Sequence, residues 1–393
     1  MKKSFWVLPI IVISQFCCTS LWFAGNGIVT DLVQYFHLEQ STLAHLISAV
    51  QIGFIAGTLV FALFTIADRF SPSRVFLTCA ILGALFNLGA ISNNNGLISL
   101  LIFRFLTGFF LAGIYPVGMK IAADYYQDGL GKSLGFLVGA LVIGTAFPHL
   151  LKGYTGEFQW KMILILISGI AVFGGLIMYL FVPDGPFRKQ SQKPNLSTWM
   201  KVFQNRSFRS AAYGYFGHMW ELYAFWTFVP VILATYADLH PEFKLNIPIL
   251  SFLVIGSGGL ACVLGGYISI NVGLKKTASI ALFLSGLCCL LSPLMFEVES
   301  SEVFIFFLIF WGLVVILDSP LFSTLVANNA KSESKGTALT IVNCIGFSIT
   351  VISIQMINIL RNILDPRYIY LLLAIGPLLG LLALYEHKTN ANI

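Results

Sequence analysis

The stretch GYFGHMWELYAFW, residues 214–226, sets a histidine and a glutamate three positions apart inside an aromatic, apolar run. At helical spacing His218 and Glu221 share a face. Such a pair can share a proton or exchange one with water. It can equally tie two helices together, with His218 a satisfied core polar group. A His-x-x-Glu pair also suggests a metal, but carboxylate metal sites in helical bundles draw further ligands from other helices. No second such pair occurs in the sequence, so neither a metal nor another cofactor is expected. Two more ionisable groups stand in apolar surroundings. Asp318, in WGLVVILDSPLF, follows Trp311 by seven residues and reads as a second proton carrier or as a cap at a proline kink. Arg104, in FRFLTGFFLAG, is followed at helical spacing by Gly108, Leu111 and Tyr115. It reads as the partner of a carboxylate, as the anchor of an anionic solute, or as half of a fixed ion pair.

The elements that must hold these groups are membrane helices. Of 393 residues, 57% are apolar and 10% charged, and mean hydropathy is +0.85. A soluble domain carries about 25% charged residues, so this chain has too little polar surface to face water and the lipid bilayer is its solvent. Runs of about 20 apolar residues cross a bilayer. Twelve are expected, at 5–29, 44–66, 74–92, 97–121, 132–152, 161–182, 208–235, 247–270, 275–296, 303–327, 335–360 and 367–386. Backbone polar groups in lipid must be satisfied within the segment, which makes each span a helix. Barrel strands would alternate polar and apolar residues, and these runs do not. The basic start MKKSFWVLPIIVIS resembles a signal peptide, but its apolar run continues to Gly27, too long for a signal core. All seven cysteines fall inside spans without metal-ligand spacing and read as packing residues.

Lysine and arginine accumulate on the cytoplasmic side of membrane proteins. With a cytoplasmic N-terminus, 17 of the 23 fall on that side, 5 on the other, and Arg104 within a span. The bias places both termini in the cytoplasm and accounts for the +6 net charge without a nucleic-acid partner. Six spans precede and six follow a proline-containing basic stretch. The organisation is therefore an all-α fold of two bundles, 1–182 and 208–393, joined by a cytoplasmic linker at 183–207. A weak internal repeat agrees: YPVGMKIAADYYQDGLGK (115–132) overlies SPLFSTLVANNAKSESKG (319–336), with Pro116 on Pro320 at an offset of 204. Parallel six-helix repeats are a transporter plan. There is no Gly-x-x-x-x-Gly-Lys-Ser/Thr loop to bind a nucleotide, which leaves an ion gradient as the energy source.

The chain resembles the major facilitator superfamily over its full length. FTIADRFSPSR (64–74) matches the family's loop between spans two and three, Gly-x-x-x-Asp-Arg-x-Gly-Arg-Arg/Lys, at Asp68 and Arg69, with Arg74 as a late basic residue. Phe64 and Ser71 replace the two glycines. The copy in the second half, GYISINVGLKK, lacks the acid. Arg104 and Gly108 match the family's fourth-span Arg-x-x-x-Gly. The resemblance implies alternating access, in which two bundles rock about a central site. It also implies that Asp68 pairs with bases and a helix end to hold the outward-facing state. Spans five and eight, which carry recurring glycines, would be the sliding surface. GHMWELYAFW is similar to bacterial facilitators grouped with nitrate/nitrite carriers, but the glycine-rich nitrate signature is missing.

On this reading the cavity candidates are Gln15, Trp22 and Asn26 on the first span, then Tyr115, Trp220, Tyr223 and Asn343, with Glu221, His218, Asp318 and Arg104 binding solute or protons. His149 reads as an interfacial residue. An acid at the centre of a membrane helix costs about 2.5–3.5 kcal/mol on insertion scales, so such residues are functional candidates by default. The expectation is a monomeric secondary transporter of the bacterial inner membrane. It would move a small solute, anionic or aromatic, and couple it to protons because lone acids rather than oxygen clusters are present. The alternatives are a non-transporting receptor or scaffold of the same fold, and an intramembrane enzyme using His218 and Glu221, which lacks an apparent nucleophile.

Overall fold

The computed structural model describes residues 6–126, 130–155, 160–188, 203–330 and 335–389. Lys2, Lys3, Lys331 and the linker residues 189–202 lie outside them. Among the described residues all regular structure is helical. The chain divides into two compact units, Met1–Lys193 and Pro194–Ile393.

The first unit runs through α1 (Val7–Thr19), α2 (Ala24–Gly27), α3 (Val29–Tyr35), α4 (Thr42–Leu63), α5 (Ile66–Arg69), α6 (Pro72–Gly89), α7 (Leu97–Leu111), α8 (Tyr115–Tyr125), α9 (Leu130–Thr155) and α10 (Trp160–Phe181). The second comprises α11 (Arg206–Leu239), α12 (Ile247–Val272), α13 (Leu274–Phe296), α14 (Ser301–Leu317), α15 (Ser319–Asn329), α16 (Lys335–Leu360), a 3-10 turn (Ile369–Ala374) and α17 (Ile375–Thr389). Among the described residues ten helices are long and apolar enough to cross a membrane, counting α7–α8 and α14–α15 as one each. Val7–Thr19 and Ile369–Tyr385 are apolar but shorter.

The first expected span, 5–29, is therefore not one helix. Its side chains explain the break. Thr19 donates to the carbonyls of Gln15 and Phe16, and Ser20 to that of Cys17. Ser and Thr bonded back to the preceding turn compete with the backbone ladder, and Gly25 and Gly27 add weak helix formers just beyond. The chain passes through turns at 20–23 before α2 begins. The last expected span, 367–386, opens as the 3-10 turn and becomes α-helical only at Ile375.

Two further breaks are set by proline. The ring lacks an N–H, clashes with the preceding turn and disfavours the helical conformation in the residue before it. Pro116 accordingly sits in the first turn of α8 and Pro320 in that of α15, each just after a joint with α7 or α14. The two C-terminal pieces are 11 residues each and start 204 positions apart. The same offset governs packing. A Cβ on Gly108 of α7 would fall 2.0 Å from the Val50 carbonyl oxygen of α4, and one on Gly312 of α14 2.0 Å from that of Val254 on α12. Backbone approach this close requires glycine at the crossing.

Candidate functional site

In the second unit α11 is capped by Asn205, whose side chain accepts from the amides of Ser207 and Phe208. It continues unbroken for 34 residues. About four turns in, it buries Glu221, 1% exposed. Three neutral donors meet that carboxylate. Trp311 of α14 donates its indole N–H to Oε1 at 2.7 Å, the Cys289 thiol of α13 donates to Oε1 at 3.3 Å, and the Ser285 hydroxyl of α13 donates to Oε2 at 2.8 Å. The Trp311 ring also stacks on Phe225, centroids 4.4 Å apart, which fixes the indole edge toward the acid. Among the described residues no lysine or arginine forms an ion pair with Glu221.

His218 does not join Glu221. It lies one turn earlier on α11 and faces the α14–α15 joint, where its Nδ1 is 2.8 Å from Asp318 Oδ1. Both side chains are 1% exposed. The sequence expectation of a His218–Glu221 pair is thus corrected: the chain makes two separate rungs between α11 and the α14–α15 segment, Glu221 with Trp311 and His218 with Asp318. Asp318 itself occupies the joint, as the residue between α14 and α15. The other residues singled out in this unit hold structure together. Trp220 donates to the Leu372 carbonyl at 3.0 Å, Tyr215 donates to Asn343 Oδ1 at 3.2 Å, and Tyr223 packs on Trp226 and Phe347.

The first unit buries a cation instead. Arg104 of α7 is 3% exposed, and among the described residues no carboxylate pairs with it. Its NH2 donates to the carbonyls of Leu21 at 3.0 Å and Trp22 at 2.5 Å, and its NH1 to Asn87 Oδ1 at 3.1 Å. Those carbonyls are freed by the break after α1, where the helix's negative dipole end favours a cation. Among the described residues Arg104 thus clasps a broken helix rather than a carboxylate. Nε has no hydrogen-bond partner and faces Gly25 at the edge of a small, chiefly apolar cavity. Trp22 is wholly buried between Phe54, 4.8 Å away by centroids, and Tyr115, 6.4 Å away. Gln15 is buried against Gly118, and Asn26 is buried in α2. His149, expected at the interface, is buried at 2% exposure, and its neighbour Pro148 packs on Gly27 of α2.

In the loop at 64–71, Asp68 receives Lys120 of α8 at 3.0 Å, and Lys120 also reaches Asp124 at 3.6 Å. Arg188 donates to the carbonyls of Asp68 and Phe70 and pairs with Asp184, which accepts from Ser71. Arg69 and Arg74 are exposed, without an ion pair among the described residues. Thr65, just before α5, is left-handed, φ +50°.

Sequence reasoning missed Ser285 and Cys289 as partners of Glu221. The signal available was slight: two small polar residues four apart, hence on one face of a helix. Arg188 gave none beyond its charge.

A model of the Major Facilitator Superfamily matches residues 11–354. The chain is 23% identical over 295 residues to an uncharacterized protein of Campylobacter jejuni, covering 71% of this chain and 86% of that protein. It is 24% identical over 212 residues to the MFS-type efflux pump MFS2 of Trichophyton rubrum, covering 52% and 35%, and 30% identical over 158 residues to solute carrier family 22 member 1 of Bos taurus, covering 38% and 25%. It therefore spans only about a quarter to a third of the length of the last two. Matched over most of its length by the family model, built of apolar helices and carrying Asp68, Arg69, Arg104 and Gly108 at the motif positions, the chain belongs to the Major Facilitator Superfamily.

Proposed function

We propose that this multi-pass membrane protein is a proton-coupled secondary transporter that moves a small solute by alternating access. The observation that carries the reading is Glu221: a buried carboxylate met by three neutral donors and, among the described residues, by no cation. A buried charge without a counter-ion is retained where the charge must come and go. Glu221 is the coupling acid, ionised when water reaches it and protonated when the site is dry, and the His218–Asp318 pair is a second proton-holding group in the same unit. Family membership and relatives named as an efflux pump and a solute carrier support transport over catalysis. With the terminal nitrogens of Arg104 committed to carbonyls, a neutral or cationic solute fits better than an anion. The two units act as six-helix bundles, 1–182 and 208–393, counting the two short apolar helices as spans. Both termini and the linker face the cytoplasm of a bacterial inner membrane.

Glu221→Gln is the test. It keeps the shape: the amide oxygen can still accept from Trp311 and Cys289, and the amide NH2 can donate to Ser285, whose own hydrogen then turns to the Leu282 carbonyl, but no proton can be released. In proteoliposomes it should abolish solute accumulation driven by a pH gradient and spare exchange at equal pH. Accumulation surviving in the variant would move the coupling role to Asp318. Solute-driven pH change in the same vesicles separates transport from a receptor of the same fold.

A further inference from the structure

Glu221 is not met symmetrically. Oε1 faces two donors, the Trp311 indole, which can only donate, and the Cys289 thiol. Oε2 faces Ser285 alone. Ser285 has one hydroxyl hydrogen but two acceptors within reach, Glu221 Oε2 at 2.8 Å and the carbonyl of Leu282, one turn back in α13, at 3.1 Å. The group is buried, 1% exposed. Only one of those bonds exists at a time.

We propose that Ser285 is the positioning residue that lets Glu221 take up and release its proton without leaving a buried polar atom unpaired; the proposal rests on the reading of Glu221 as the coupling acid. In the ionised state the Ser285 hydroxyl donates to Oε2. When a proton arrives it binds Oε2, because Oε1 is already faced by two hydrogens. The new O–H then donates to Ser285 Oγ, and the Ser285 hydrogen swings to the Leu282 carbonyl. The 2.8 Å separation suits an O–H···O bond in either direction, so no heavy atom has to move. Every donor and acceptor keeps a partner in both states, which is the condition for low cost inside a protein. The other ionisable groups around the acid do not substitute for this. His218, on the same helix, is held by Asp318; Asp318 stands at the α14–α15 joint; Cys288 and Cys289 of α13 can only offer thiols.

The proposal is tested on the full chain in lipid vesicles by pH-difference infrared spectroscopy. The protonated carboxyl C=O band of Glu221 is the band that Glu221→Gln removes. Ser285→Ala deletes the acceptor of the acid proton, so that band should move to higher frequency, and gradient-driven uptake should fall roughly tenfold, as expected for one hydrogen bond to a charged group. Ser285→Thr keeps a hydroxyl and should restore both. An unmoved band in Ser285→Ala overturns the role of Ser285 while leaving Glu221 as the coupling acid. A Thr variant that behaves like Ala overturns it as well, because packing rather than the hydroxyl would then be at work. If Glu221→Gln removes no band at all, the underlying reading of Glu221 fails instead.

Discussion

The two units share a crossing and differ in what they bury beside it. Gly108 lies on the Val50 carbonyl and Gly312 on that of Val254, at the same offset that relates Pro116 to Pro320. Yet the first unit buries the Arg104 guanidinium, with Asp124 buried beside Lys120, and the second buries the carboxylates of Glu221 and Asp318. The partners differ in kind. Arg104 bonds backbone carbonyls that belong to a break in the chain and the Asn87 side chain. Glu221 bonds side-chain donors, one of which has a second acceptor in reach. On the proposed reading the first arrangement holds and the second switches. The lesson is that a charge deep in a span is diagnosed by its partners, since both residues looked alike in sequence.

The sharpest break of this comparison is a pair of charge removals. Glu221→Gln should leave unfolding unchanged within about 1 kcal/mol and abolish uphill uptake, because the donors keep an acceptor. Arg104→Met should leave the Leu21 and Trp22 carbonyls and Asn87 Oδ1 without their donor. At roughly 1–3 kcal/mol for each stranded buried group, the loss should reach about 3 kcal/mol in denaturant unfolding of the purified protein. A stable Arg104→Met that fails only in transport would make Arg104 a working residue and collapse the contrast.

The shared crossing makes the opposite prediction, of equality. Leucine at Gly108 or at Gly312 must push apart α4 and α7, or α12 and α14, because even its Cβ would overlap a carbonyl oxygen. Each should cost about 2–3 kcal/mol, the upper part of the range for overpacking. Unequal costs, measured by the same unfolding assay, would show that the repeat in sequence is not a repeat in energetics.

How much of this was legible in advance follows from the range of the forces involved. Spans, proline joints and the 204-residue repeat are local or periodic, and the runs of apolar residues and Pro116 with Pro320 displayed them. Asp68 was legible through its motif. The break after α1 was missed because Thr19 and Ser20 act through back-bonding within a turn, a weak effect that apolar counting ignores. The partner of His218 was misread because spacing on one helix gives the face, not the neighbour across it. Ser285, 64 residues from Glu221 in sequence, became visible only when α13 was packed on α11.

A smaller effect is expected at the loops. Asp68 holds Lys120, whereas the corresponding stretch of the second unit, Gly266–Lys276, contains no acid and enters α13 through Gly273 at φ +93°. Asp68→Asn should slow turnover several-fold with solute affinity kept, and Lys120→Gln should do the same. The double variant should be no slower than Lys120→Gln alone, since Asp68→Asn removes only the pair with Lys120, whereas Lys120→Gln also takes that lysine from Asp124. Additive losses in vesicle uptake would mean that Asp68 and Lys120 act through different partners.

The smallest effect separates the ion pairs at the helix ends. In the first unit Lys152 holds Asp31 at 2.7 Å with both side chains about a quarter exposed or less. In the second Arg367 holds Asp365 at 2.6 Å and also pairs with Glu297, and these side chains are more exposed, up to 61%. Hydrogen bonds from Arg367 hold the Asp365 carboxyl below its ordinary value of 3.8. A carboxyl lowered in the folded state adds stability that is present above 3.8 and disappears as the pH falls through the lowered value. The unfolding temperature of the wild type should therefore exceed that of Arg367→Gln at neutral pH, and the gap should close in acid below that range. Salt distinguishes the two pairs. The Debye length falls from about 10 Å at 0.1 M to about 3 Å at 1 M, and exposed pairs are screened most. One molar salt should erase the Arg367→Gln difference and leave most of the Lys152→Gln difference. Equal salt sensitivity would show that the two pairs are equally hydrated, and the contrast between the units would then be confined to the charges buried in their spans.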